Sequence, residues 1–65
     1  MSKIYRIFYH NNGDAGQKFY MSVIAHDPKE ALQLIRDKLT KDIIRDKVIV
    51  VGNKVTELNK EFRVK

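Results

Sequence analysis

The sequence contains no cysteine and no tryptophan, and it has one proline and three glycines in 65 residues. Without cysteine there is no disulfide framework of the kind that compensates small secreted scaffolds for a thin core. With only two histidines, His10 and His26, there is no Cys/His zinc framework either. A chain this short buries only roughly 60% of the surface its unfolded form exposes, so packing alone must hold a single domain over residues 1–65. Long apolar runs are also missing. The longest is Val48 to Val51, far from the roughly 20 residues that cross a bilayer, so no membrane partner is expected. Met1-Ser2-Lys3 leads straight into a strand-like segment, and no signal peptide is expected. These absences together point to a cytoplasmic protein.

Acidic residues are the minority. Thirteen basic against eight acidic side chains give a net charge of +5 and a pI near 9.7, a balance compatible with a nucleic-acid partner. The excess is spread thinly. Residues 1–26 carry Lys3, Arg6 and Lys18 against Asp14, residues 27–47 carry six bases against five acids, and residues 48–65 carry four against two. No arginine cluster or lysine-rich tail concentrates it.

The chain reads as strand, turn, strand, helix, strand and a short last strand, an α+β domain of ββαβ(β) type with one helix on one face of a three- or four-stranded sheet. Ile4 to His10 is dense in β-branched and aromatic residues. Asn11 to Gly16 collects the residues that tolerate positive φ and closes a hairpin. Lys18 to Ala25 returns, with Phe19, Met21, Val23 and Ala25 on one face and Tyr20, Ser22 and Ile24 on the other. Asp27-Pro28-Lys29-Glu30 supplies an N-cap, a first-turn proline and a capping-box glutamate. The helix then runs to about Lys41, with Ala31, Leu32, Ile35 and Leu39 as its buried stripe. Asp42 to Asp46 reads as a link. Lys47 opens a long third strand, bent at Gly52 and reaching Leu58, in which Val48 to Val51 is expected to be buried on both faces or central in the sheet. Gly52-Asn53 is an alternative hairpin turn, and Asn59-Lys60 a weaker one. Glu61 to Val64 makes a short edge strand. The expected core is Ile7, Met21, Val23, Ala31, Leu32, Ile35, Leu39, Ile49 and Val51.

Groups able to do chemistry are few. Ser2 and Ser22 lack a nucleophile elbow, and Gly13 and Gly16 lie in a hairpin with no helix N-terminus behind them. His10 and His26 fall at opposite ends of the hairpin, too far apart to share a metal or a proton. Asp42 and Asp46 have no third ligand. The chain is therefore expected to be non-enzymatic and free of cofactors.

Strand one exceeds what a core requires. If Tyr5, Ile7 and Tyr9 point inward, the open face carries Ile4, Arg6, Phe8 and His10. The opposite choice would drive Arg6 unpaired into the core, which is costly. Arginine beside an aromatic is the composition of protein hot spots and of base-stacking platforms. Arg6 and Phe8 are thus the first candidates for partner contact, with Tyr20 and Lys18 of the adjacent strand behind them. The competing reading folds Phe62 and Val64 of the C-terminal segment over that face.

Ile4-Tyr5-Arg6-Ile7-Phe8-Tyr9-His10 resembles the opening strand of the epsilon subunit of Firmicute RNA polymerase, typically Ile-Tyr-Lys-Val-Phe-Tyr-Gln. That fold is shared with a small phage inhibitor of bacterial RNA polymerase. In the inhibitor an Ala-x-x-x-x-Glu-Ala stretch opens the helix, much as Ala25 to Ala31 does here. The chain lacks the family's Pro-x-Arg-Glu-x-Thr stretch and is basic where those proteins are acidic. It is also similar to archaeal ribosomal protein LX, through Lys3-Ile4-Tyr5-Arg6-Ile7 and Arg45-Asp46-Lys47-Val48-Ile49-Val50, but without that family's Gly-Ser-Lys-His segment. The first resemblance implies a regulatory or accessory protein partnered with RNA polymerase, and the second an RNA-binding ribonucleoprotein component. A small homo-oligomer whose open faces bury each other is the third expectation.

Overall fold

The structure is a computed structural model and describes residues 2–52 and 56–64. Its elements are β1 (Lys3–Asn11), β2 (Asp14–Ala25), α1 (Pro28–Leu39), β3 (Ile43–Val51) and β4 (Phe62–Arg63), and the sheet order is β3-β1-β2-β4 with every named pair antiparallel. It is the α+β arrangement expected: an N-terminal hairpin, one helix and a four-stranded sheet. No helix among the described residues is long and apolar enough to cross a membrane.

The hairpin closes more tightly than the cluster of turn residues suggested. Asn11 pairs with Asp14 across Asn12-Gly13, and Gly13 takes a φ of 91° that only glycine adopts at little cost. Strand β2 therefore begins at Asp14 and not at Lys18. The helix starts as its capping residues dictate. The Glu30 amide donates to the Asp27 carboxylate at 2.7 Å, and the Glu30 carboxylate accepts from the His26 amide at 3.1 Å. It stops at Thr40, a left-handed residue with φ 53° whose N–H donates to the Arg36 carbonyl.

Beyond the helix the expectations need correction. Ile43 to Asp46 belongs to β3, which ends at Val51 and does not continue to Leu58; Asn53 to Val55 lie outside the described residues. β3 is also an edge and not a central strand. β1 occupies the centre, so Val48 to Val51 is not buried on both faces, and Val50 is 58% exposed. The C-terminal segment returns along the other side of the sheet. Leu58 bridges Ser22, the Asn59 amide donates to the Ser22 carbonyl at 2.9 Å, and β4 pairs with β2.

The core lies between sheet and helix. Tyr5, Ile7 and Tyr9 of β1, Met21, Val23 and Ala25 of β2, Ala31 and Ile35 of α1 and Ile43 of β3 are buried, with Phe19, Leu32, Leu39 and Val48 packed against them. Ile49 and Val51 are not part of this cluster. Opposite the step from Phe8 to Tyr9, Asp46 is an extra residue in β3, and this bulge reverses the alternation of the strand. Ile43 before it and Val48 after it face the helix, leaving Ile44, Ile49 and Val51 on the other side.

Candidate functional site: an aromatic row on the open face of the sheet

Antiparallel register carries the alternation of β1 onto its neighbours. Tyr5, Ile7 and Tyr9 face the helix, so Ile4, Arg6, Phe8 and His10 face away, opposite Ile24, Ser22, Tyr20 and Lys18 of β2. On the other side they meet Val51, Ile49, Lys47 and Ile44 of β3. The four expected contact residues, Arg6, Phe8, Lys18 and Tyr20, thus share one face. The helix leaves this face uncovered.

Three aromatic rings cross it in a row. Phe8 lies 5.4 Å from Tyr20 at an interplanar angle of 41°, and Tyr20 lies 5.2 Å from Phe62 at 15°. All three are half-buried. Cations sit over two of them: the Arg6 guanidinium is 5.1 Å from the Tyr20 ring centre, and the Lys47 ammonium 5.4 Å from that of Phe8. Phe62 stands beside Tyr20 on β4, two strands away from β1, so the C-terminal segment widens the aromatic row.

On one side of the row lies a carboxylate with three partners. Glu57 forms a salt bridge with Arg6 and accepts from the Ser22 hydroxyl at 2.9 Å and the Tyr20 hydroxyl at 3.4 Å. It thereby satisfies Ser22, which is fully buried. The Arg6 Nε remains buried without a hydrogen-bond partner among the described residues. On the other side Asp46 bonds the His10 Nδ1 at 2.8 and 2.9 Å and the Lys18 ammonium at 3.4 Å. The hydrogen bond from His10, aided by the charges of His10 and Lys18, holds the Asp46 carboxyl below the ordinary carboxylate value. Asp42 takes no part, being bonded to Asn12 by both backbone and side chain. His26 meets Ser2 at the far end of the sheet. No group of three metal-ligating side chains occurs among the described residues.

On the helix side a second glutamate fastens the C-terminal segment. Glu61 accepts from the Tyr9 hydroxyl at 2.6 Å and pairs with Lys41 at 3.1 Å. Burial, and then the hydrogen bond to Glu61, push the Tyr9 phenol far above its ordinary value.

Sequence reasoning missed Lys47, Glu57 and Asp46 as parts of this face, and it offered Phe62 only as a cover folded over the face, where the ring instead stacks beside Tyr20. For Phe62 the only signal was an isolated aromatic in a polar tail. For Glu57 there was none, because its position depends on where the chain returns. No protein-family model, no curated protein and no solved structure matches the chain.

Proposed function

We propose that the chain is a non-enzymatic accessory or regulatory domain that docks on a larger macromolecular machine through the open face of its sheet, and that the surface it meets there is protein. The observation carrying this reading is how the rings are engaged. A base-stacking platform needs ring faces turned to solvent, at about 1–3 kcal/mol per stacked base. Here Tyr20 and Phe62 are stacked on each other, and Arg6 and Lys47 sit over the rings of Tyr20 and Phe8. Packed in this way the rings resemble the aromatic and arginine anchors of a protein hot spot, bordered by Ile24 and Ile44, both exposed. The resemblance of strand one makes RNA polymerase the first machine to try.

The second reading, an RNA contact, is favoured by Lys18 and Lys47 beside the rings and by the positive net charge. Binding of the tagged chain to purified bacterial RNA polymerase, with and without nuclease, separates the two when repeated between about 50 and 200 mM salt. Protein docking survives nuclease and changes little over that range. An RNA contact is abolished by nuclease or loses about tenfold or more in affinity.

A further inference from the structure

The β3 edge of the sheet is distinct from the open face. β2 has β4 alongside it, but among the described residues no strand pairs with the outer edge of β3. Along that nine-residue strand the backbone donors and acceptors of alternate residues, those not turned toward β1, face outward, with Ile44 and Val50 exposed on it. We propose that this edge pairs antiparallel with β3 of a second copy of the chain, in the register that sets Ile44 against Ile49 and Asp46 against Lys47 of that copy.

The register follows from the bulge. Asp46 is the extra residue, so Ile43, Arg45, Val48 and Val50 share the helix side, while Ile44, Lys47, Ile49 and Val51 share the open side. Asp46 also turns to the open side, where it meets His10. In an unbroken strand, two-fold pairing sets residues of like parity opposite one another. With the alternation reversed at the centre, faces match from one half to the other only when a residue of odd number meets one of even number.

Among those registers one matches both shape and charge. It pairs Ile43 with Val50 on the helix side, Ile44 with Ile49 on the open side, and Arg45 with Val48 through the aliphatic part of the arginine. Asp46 and Lys47 face each other at the centre, and the two-fold axis repeats each pair. Shifting one way by a step of two sets Ile44 against Lys47, and shifting the other way sets Arg45 against Val50 and Asp46 against Ile49. Charged residues and bulges commonly guard edge strands against pairing. In β3 the bulge instead brings the two halves of the strand into phase, and its central charges are opposite in sign. The self-complementarity of this strand is what identifies a second copy as the occupant. The two open faces would then lie side by side in one continuous sheet.

Sedimentation of the full chain from about 1 μM to about 1 mM should show a monomer–dimer equilibrium. Val50→Lys and Ile44→Lys, at exposed positions, should each weaken the dimer by about tenfold or more while melting at the parent temperature under dilute conditions. Because the chain has no cysteine, Ile44→Cys and Ile49→Cys report the register directly. Mixed under mild oxidation, they should give a disulfide-linked heterodimer, and neither should dimerise covalently alone. A chain that stays monomeric throughout, a dimer indifferent to both lysine variants, or cross-linking of either cysteine variant with itself in preference to the other overturns the proposal. These outcomes read the oligomeric state alone; docking through the open face, which Ile44 borders, is tested separately by binding of the parent chain to RNA polymerase.

Discussion

At the scale of single residues, Phe8 and Glu57 do different work on the same face. Phe8 contacts Tyr20 and carries Lys47, yet it lies outside the buried core cluster. Phe8→Ala should leave the domain folded and cost about 2 kcal/mol or more of binding to the partner, read by titration calorimetry against a circular-dichroism melt. Loss of folding without a separate loss of binding would remove Phe8 from the site. Glu57 is needed for the fold. Glu57→Ala would strand the buried Ser22 hydroxyl and leave the Arg6 charge uncompensated, costing about 1–3 kcal/mol in urea unfolding. A variant as stable as the parent would show that water replaces the carboxylate.

At the scale of elements, the helix ends on a residue its backbone does not suit. Thr40 has a β-branched side chain in a left-handed conformation, which costs L-residues about 1–2 kcal/mol. Thr40→Gly relieves this, less the extra chain entropy glycine loses on folding, so the melt should show a gain of about 0.5–1 kcal/mol. The buried stripe makes the opposite prediction. Ile35 is fully buried and Leu39 only half-buried, so Ile35→Ala should cost about 2–5 kcal/mol and Leu39→Ala distinctly less. Equal losses would mean that the helix sits on another face. The same comparison explains the misread third strand. Its apolar residues were legible, but whether an unbroken run lies in the centre or at the edge of a sheet depends on which neighbour it finds. Its alternation depends on a bulge that Asp46 does not announce.

At the scale of the whole molecule, one carboxylate and one phenol set limits on pH. Asp46 titrates lower in the folded chain than in the unfolded one, so the folded state binds fewer protons near the ordinary carboxylate value. Its contribution is therefore present above that value and lost as pH falls through the folded one. The acid limb of the stability curve should flatten in Asp46→Asn. Tyr9 lies at the other extreme. Its phenol is raised far above 10.0 in the fold, so the stability it contributes is present below pH 10 and lost as pH rises beyond it. Tyr9→Phe should cost about 1 kcal/mol at neutral pH by losing the hydrogen bond to Glu61, and should unfold over a shallower alkaline limb. An alkaline limb as steep as the parent's would place the responsible group elsewhere.

Local chemistry was decided by the sequence alone. Asn11 to Gly16 turns the chain into a hairpin, Asp27-Pro28-Lys29-Glu30 starts a helix, and the alternation of strand one commits Arg6 and Phe8 to the face opposite Tyr5, Ile7 and Tyr9. Each of these depends on residues a few positions apart, whose propensities and spacing act before any long-range contact forms. Tertiary structure alone decided the strand order, with β1 at the centre and β3 at the edge. It also placed Phe62 beside Tyr20, brought Glu57 to Arg6 and Ser22, and set the reversal of phase at Asp46. These depend on which strands meet and in what register. Pairing energies of that kind join residues tens of positions apart, 35 in the case of Ser22 and Glu57, and leave no periodic trace in the chain.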